Sequence, residues 1–272
     1  MMLINGDCLE EMKKLDKDSI DLIFCDLPYG QTSCKWDCKI DLELFWIQIM
    51  RIKKLNTPIF FTTTVKFGTD LILSAPKKCF FRYDLVWVKS APAGFLCAKK
   101  MPMRKHEMIY VFYEKLPFYD LSSHKHKFIS HKENTPEESK TVTYGKIKRC
   151  PNGKVGQYDP PLPVSVVKED LKKSREPNIY GKINNETVQR YDPPLPTTML
   201  EIKSTRGKHS TEKPVALMEW IFKYYSKEGD VILDPTMGSG STGVACKNMN
   251  RKFIGIEKDE EIFKIAEERL ND

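Results

Sequence analysis

Val231-Ile232-Leu233-Asp234-Pro235-Thr236-Met237-Gly238-Ser239-Gly240-Ser241-Thr242-Gly243 reads as a strand that runs into a glycine-rich turn and then a helix. Residues Gly238 to Gly243 spell GxGxxG, a pattern in which glycines permit a tight turn and let a ligand approach the backbone closely. Glu257, directly after the apolar run Phe253-Ile254-Gly255-Ile256, stands where a carboxylate can bond ribose hydroxyls. The pattern suits a cofactor that contains a nucleotide; the plainer reading is a glycine-rich connection between a strand and a helix.

Charge narrows the cofactor. A dinucleotide needs its pyrophosphate at the helix N-terminus, yet Asp234, four residues before Gly238, brings an anionic side chain towards that point. S-adenosylmethionine (AdoMet) has no phosphate and carries an ammonium and a sulfonium, so an acidic residue there becomes favourable. The pattern therefore favours AdoMet over NAD. Only fifteen residues follow Glu257, too few to complete a doubly wound sheet after a cofactor half that begins near residue 229. The other strands must come from the N-terminal half, which makes the arrangement a permuted AdoMet-dependent methyltransferase sheet.

In that N-terminal half, Ile20-Asp21-Leu22-Ile23-Phe24-Cys25 leads directly into Asp26-Leu27-Pro28-Tyr29. This puts a carboxylate and an aromatic ring at the carboxyl end of a strand, where open α/β sheets place their ligands. The Asp26 carboxylate can accept from an exocyclic amine, Pro28 stiffens the turn and removes a competing N–H, and Tyr29 offers a face on which a planar base stacks. The chemistry indicated is on the amino group of a nucleobase.

The chain resembles the β-group amino-methyltransferases of DNA, in which the catalytic motif comes first, then the target-recognition segment, then the cofactor motif. The resemblance rests on Gly6-Asp7, on Asp26 to Gly30, on Asp84-Leu85-Val86-Trp87-Val88-Lys89, on His106-Glu107 before Ile109 to Tyr113, and on His209-Ser210-Thr211-Glu212-Lys213-Pro214. It extends over most of the chain outside residues 116–190. Leu27 and Ser210 stand where the family usually has proline, and neither replaces a chemically required group.

The resemblance implies a Rossmann-like α/β fold with a mostly parallel sheet, in three parts: a catalytic half at 1–115, an inserted target-recognition segment at 116–205 and an AdoMet-binding half at 206–272. It implies that Asp7 contacts the cofactor's adenine, Glu257 its ribose, and Asp234 with the turn Thr236, Gly238, Ser239, Gly240, Ser241 and Thr242 its methionine end, with Lys213 reaching the methionine carboxylate and Asp26 beside the reacting centre. Aspartate at the first motif position accompanies adenine in the family and serine accompanies cytosine, so Asp26 favours the N6 of adenine over the N4 of cytosine. The target base must be flipped out of the duplex. Asp26 and the carbonyl of Leu27 or Pro28 would accept the two amine hydrogens while the methyl group is held in line.

Composition agrees with a nucleic-acid partner. The 272 residues carry 44 Lys and Arg against 37 Asp and Glu, a formal charge of +7; from Lys99 to Lys132 eight basic residues face three acids. Lys99, Lys100, Arg104 and Lys105 in this run, Lys89, and the loop Gln31 to Asp37 with Trp36 are candidate contacts to double-stranded DNA, the alternatives being solvated lysines and a packed loop tryptophan. The resemblance leaves a second copy of the chain and a cognate restriction endonuclease as further partners. The eight cysteines are scattered, with no disulfide framework. Cys34 and Cys38, or His124, His126 and His131, lack the further ligands a metal requires, and no metal is expected. Neither a secretion signal nor a spanning helix is expected, which points to the cytoplasm.

The segment 116–205 is rich in Pro, Lys, Ser and Asn and carries a duplication. Tyr144-Gly145-Lys146-Ile147 recurs at Tyr180 to Ile183, and Tyr158-Asp159-Pro160-Pro161-Leu162-Pro163 at Tyr191 to Pro196. These Asp-Pro-Pro triplets fail as catalytic motifs because neither follows an apolar strand and a leucine replaces the aromatic residue. They read as DNA-contacting elements or as rigid proline turns. Strands are expected near 2–5, 20–25, 58–63, 83–88, 107–113, 231–234 and 253–256, and helices near 41–54, 66–74, 214–225, 241–249 and 259–270, with Pro214 in the first turn of its helix. Rival classes are an NAD-dependent oxidoreductase, a methyltransferase of RNA or of a protein amide, and a non-catalytic DNA-binding relative.

Overall fold

A computed structural model of the chain describes residues 1–30, 39–94, 98–127, 140–141, 145–146, 190–192, 199–203 and 212–271. Its strands are β1 (Met2–Asn5), β2 (Leu22–Cys25), β3 (Ile59–Thr63), β4 (Phe80–Ala93), β5 (Arg104–Tyr113), β6 (Lys125–Lys127), β7 (Lys140–Thr141), β8 (Gly145–Lys146), β9 (Arg190–Asp192), β10 (Met199–Glu201), β11 (Val231–Asp234) and β12 (Lys252–Glu257). Its helices are α1 (Cys8–Glu11), α2 (Leu42–Ile52), α3 (Val65–Ser74), α4 (Val215–Tyr225), α5 (Ser241–Asn248) and α6 (Glu260–Asn271).

Met1–Asp120 and Thr198–Asp272 form one compact unit and Leu121–Thr197 a second. In the second unit β6 pairs with β9 and β7 with β8, both antiparallel. The remaining residues of the duplicated Tyr-Gly-Lys-Ile and Tyr-Asp-Pro-Pro segments lie outside the described residues, as do the Gln31 to Asp37 loop with Trp36, Cys34 and Cys38, and His209 to Thr211.

The first unit is built on an eight-stranded sheet in the order β1-β12-β11-β2-β3-β5-β4-β10. All neighbours are parallel except β5, which runs against β3 and β4. Strand residues point alternately to the two faces, and here both faces are covered. Leu22, Phe24, Phe60 and Ile232 pack under α4, α5 and α6, against Leu217, Phe222, Cys246 and Leu270. Ile23, Cys25, Phe61 and Leu233 pack on the other side against Met12, Trp46, Ile49 and Leu71, from the turn after α1 and from α2 and α3. Burial on two faces is why the central strands read as unbroken apolar runs. Each fully buried large side chain among them contributes about 1.5–3 kcal/mol. The helices that precede the middle of the chain thus cover one face, and those that follow it cover the other.

The helices begin where the sequence provides caps. Asp41 accepts from the N–H groups of Glu43 and Leu44, both at 3.0 Å, to start α2. Thr64 accepts from Phe67 N–H at 3.3 Å to start α3. Such caps contribute about 1 kcal/mol each. Pro214 sits at the N-cap of α4, one place before the expected first-turn position; its φ of −64° and missing N–H suit the entry to a helix. Met218 and Phe222 of α4 are buried and belong to the core, with Trp220 packed at its margin. β4 and β5 extend beyond the expected 83–88 and 107–113 because they form a long antiparallel pair, with irregular register between Phe81 and Tyr83 and between Val88 and Ala93. No helix among the described residues is long and apolar enough to cross a membrane.

The third glycine of the turn motif serves packing. A Cβ on Gly243 would lie 2.7 Å from Leu270 Cδ1 and 2.8 Å from Phe253 Cε1, so α5 reaches α6 and β12 only without a side chain there. Gly243→Ala is expected to destabilise the protein by about 1–3 kcal/mol through overpacking. A lower denaturant midpoint with an unchanged slope in urea unfolding is the outcome that checks it.

Candidate active site

The carboxyl ends of β2 and β11 lie side by side, with Leu22 opposite Ile232 and Ile23 opposite Leu233. From here the chain leaves β11 through α5 towards β12 and leaves β2 through α2 towards β3, so the connections diverge. Such a switch point is where open α/β sheets bind ligands. Asp26 to Tyr29 follow β2, and the Pro235 to Gly240 turn follows β11. The two segments are tied directly, because the Thr236 hydroxyl donates to the main-chain carbonyl of Asp26 at 3.2 Å.

Asp26 is the centre of a charged network. Its Oδ1 accepts from the Tyr29 hydroxyl at 3.2 Å and from the Thr62 hydroxyl of β3. Its Oδ2 accepts from Lys213 Nζ at 2.7 Å. Lys213 also lies 3.6 Å from Glu107 Oε2, and Glu107 Oε1 is ion-paired with Lys89. Burial opposes the charge on Lys213, but the carboxylates of Asp26 and Glu107 outweigh it and raise its pKa above the ordinary lysine value. β5 contributes to this edge because it is antiparallel: its beginning, with Glu107, lies where β2 and β3 end. Tyr29 is half-buried, with its ring 5.2 Å from that of Phe67. Burial, together with the negative charge of Asp26, drives its phenol pKa well up, so the hydroxyl stays protonated and donates.

The glycine-rich turn is held from within. Gly238 and Gly240 have φ of 52° and 82°, the left-handed region that glycine adopts without strain. Asp234, expected to point its charge at a cofactor, is buried instead. It accepts from the Thr242 hydroxyl at 2.6 Å and from Thr236 N–H at 3.1 Å, so the carboxylate shapes the turn that follows it. Glu257 accepts from Gly238 N–H at 3.0 Å and from Asp259 N–H at 2.8 Å. Burial raises its pKa against the pull of those N–H groups. Asp7 caps α1 through Leu9 N–H at 2.9 Å and pairs with Lys258 at 3.1 Å. Burial pushes its pKa up, but the Lys258 ammonium and the backbone N–H outweigh this and hold it below the usual value.

Lys213, expected at the methionine end of a cofactor, therefore lies on Asp26. Lys89, expected to face DNA, is turned onto Glu107. Lys99, Lys100, Arg104 and Lys105 are exposed. Thr62 and Arg269 are not singled out in the sequence, and Glu107 and Glu212 stand there in motifs without a role of their own. Glu212 bonds Ser241 at 3.1 Å and pairs with Arg269 at 2.8 Å, and Arg269 also reaches the Ser239 carbonyl at 3.2 Å. The visible signal for Glu107 is a charged residue at the head of an apolar strand, and for Thr62 a run of three threonines at the end of one.

Fold and site together define a Rossmann-like α/β protein with a carboxylate that can accept an amine beside a turn suited to a nucleotide cofactor. The chain matches the model of the DNA methylase family, the N6 and N4 methyltransferases, over residues 20–268, and it belongs to that family. A type II methyltransferase of Lactococcus lactis subsp. cremoris, M2.LlaDCHI, is 54% identical over 65 residues, a match that spans only 24% of each protein. The type II methyltransferase M.HinfI of Haemophilus influenzae is 26% identical over 99% of this chain and 68% of its own length. The crystal structure of an M1.HpyAVI–SAM complex shares the fold with a TM-score of 0.57 and 22% identity, covering 99% of both chains.

Burial raises the pKa of Asp234 to about 7, although the Thr242 hydroxyl and Thr236 N–H favour its charged form. A carboxyl whose folded pKa stands above its unfolded value stabilises the fold below the unfolded pKa, and that contribution is lost as pH rises through the folded one. Between pH 4 and 7 the wild type is therefore expected to lose stability relative to Asp234→Asn, by up to about 1.4 kcal/mol per pH unit. Urea unfolding of both proteins across that range measures it.

Proposed function

We propose that the protein transfers a methyl group from AdoMet to the exocyclic N6 of adenine in duplex DNA. The observation that carries this reading is Asp26 beside the glycine-rich turn, with its Oδ1 fixed by Tyr29 and Thr62. The residues around the turn fit AdoMet. A Cβ on Gly238 would meet nothing within 4 Å, so at this residue the turn opens to space that a ligand can enter. Glu257 uses one lone pair on each oxygen for backbone N–H groups and keeps another on each for ribose hydroxyls. Asp7 is half-exposed nearby in the sheet, since β1 pairs with β12 and Asn5 lies opposite Glu257. AdoMet supplies an electrophilic methyl group on a sulfonium.

The protein's part is to orient the amine and accept its charge. Asp26 takes one amino hydrogen and the carbonyl of Leu27 or Pro28 the other, which draws the nitrogen lone pair out of conjugation with the ring. The positive charge that develops on nitrogen is stabilised by the Asp26 carboxylate, and the methylated ammonium, strongly acidic, then loses its proton to water. Tyr29 is the stacking platform for the extruded base. Aspartate at the head of the motif favours adenine, as in the family. The exposed run Lys99, Lys100, Arg104 and Lys105, which enters β5 on the side of Glu107, supplies phosphate contacts, and the basic segment 116–205 supplies recognition of the target sequence.

Labelled AdoMet and unmethylated duplex DNA, followed by nucleoside analysis, test the reading. Label is expected as N6-methyladenine. Asp26→Asn is expected to slow transfer by about 100-fold or more while binding AdoMet within a few-fold of wild type. Label in N4-methylcytosine would refute the base, and labelled RNA or protein in place of DNA would refute the substrate.

A further inference from the structure

Two in-plane lone pairs are available on each carboxylate oxygen. On Asp26 Oδ1 both are taken, by Tyr29 and by Thr62. An incoming amino hydrogen is therefore left with Oδ2, and Lys213 Nζ already sits on that oxygen at 2.7 Å. An ammonium there occupies one of the two lone pairs on Oδ2 and draws its electron density away from the amino hydrogen that must share that oxygen. It also stands beside a nitrogen that turns positive as the methyl group arrives, which opposes transfer.

A second seat for the ammonium is built next to the first. Glu107 Oε2 is buried and makes no hydrogen bond among the described residues. It lies 3.6 Å from Lys213 Nζ, and a shift of under about 1 Å would bring the pair to charge-assisted hydrogen-bond length. The other Glu107 oxygen is held by Lys89, whose ammonium lies 5.3 Å from the centre of the Trp87 ring. Trp87 is directly opposite Glu107 in the β4–β5 pair and donates through Nε1 to the Ile202 carbonyl at 2.9 Å. Glu107 is thus held through its other oxygen, while Lys213, which moves to it, has a flexible side chain.

We infer that Glu107 is a positioning residue that draws Lys213 off Asp26 Oδ2 when the target amino group arrives, so that the ammonium bonds Glu107 and no longer the oxygen that accepts the amino hydrogen. This rests on the function proposed above. Glu107 acts through Lys213 and does not touch the base. Because the lysine keeps a carboxylate partner in both positions, its charge is never left unpaired during the exchange.

The test is a double-mutant cycle in the full chain with Glu107→Gln, Lys213→Met and both together, read as the single-turnover rate of methyl transfer to unmethylated genomic DNA at saturating AdoMet. Calorimetric AdoMet affinity is measured alongside. Glu107→Gln is expected to slow transfer at least about tenfold with AdoMet affinity within about twofold, and to change the rate by less than about twofold in the Lys213→Met background. Glu107→Asp keeps the charge and withdraws Oε2 from Lys213, and a slowing of about threefold is expected even if the glutamine variant is too unstable to assay. Equal effects of Glu107→Gln in both backgrounds, or an unchanged rate in either Glu107 variant, would overturn the inference while leaving the methyltransferase reading intact. A wild type that binds AdoMet and transfers nothing to DNA overturns that reading and this inference with it.

Discussion

The pairing of β2 with β11 is the constraint on which the site depends. The two strands are separated by some 200 residues of chain, yet their parallel register sets Asp26 and the glycine-rich turn at one level of one sheet edge. A slip of one residue would exchange the faces of every side chain on β2, sending Phe24 and Cys25 into the wrong cores. Register is therefore fixed by apolar packing on two faces, and the bond from Thr236 to the Asp26 carbonyl reports that fit without having to create it.

On that frame the chain assembles an unusual density of charge. Lys89, Glu107, Lys213 and Asp26 alternate in sign along a chain of contacts, and Glu212, one residue before Lys213, pairs with Arg269 above the start of α5. Partly buried ions persist when each has a counter-charge and hydrogen bonds. The adjacent Glu212 and Lys213 thus reach two different parts of the site. One touches the first residue of the helix after the glycine turn, and the other touches the carboxylate after β2.

Local features were legible in the sequence. The apolar runs around Leu22, Ile59 and Val231 gave strands, and the Gly238 to Gly243 spacing gave a turn followed by a helix, because these patterns follow from backbone geometry and burial within a few residues. The long-range partners were not. Nothing in Lys213 itself says that it lies on Asp26, 187 positions away. Nor does Asp234 announce that its carboxylate bonds Thr242 inside the turn; read as a free charge, it pointed outward. The antiparallel direction of β5, which brings Glu107 to the site, depends on sheet pairing rather than on any pattern within the strand.

The place of β1 in the sheet has a consequence for how the protein is made. Among the described residues β1 is bonded to β12 alone, a strand some 250 positions further along the chain: Met2 lies opposite Ile254. During synthesis β1 waits for some 250 further residues before it can dock, and β2 waits for β11 on one of its sides. Closure of such distant pairs costs loop entropy before any contact repays it. The β1–β12–β11–β2 part of the sheet is therefore completed only once β12 has left the ribosome, and until β11 has emerged one edge of β2 is open to pairing with other chains.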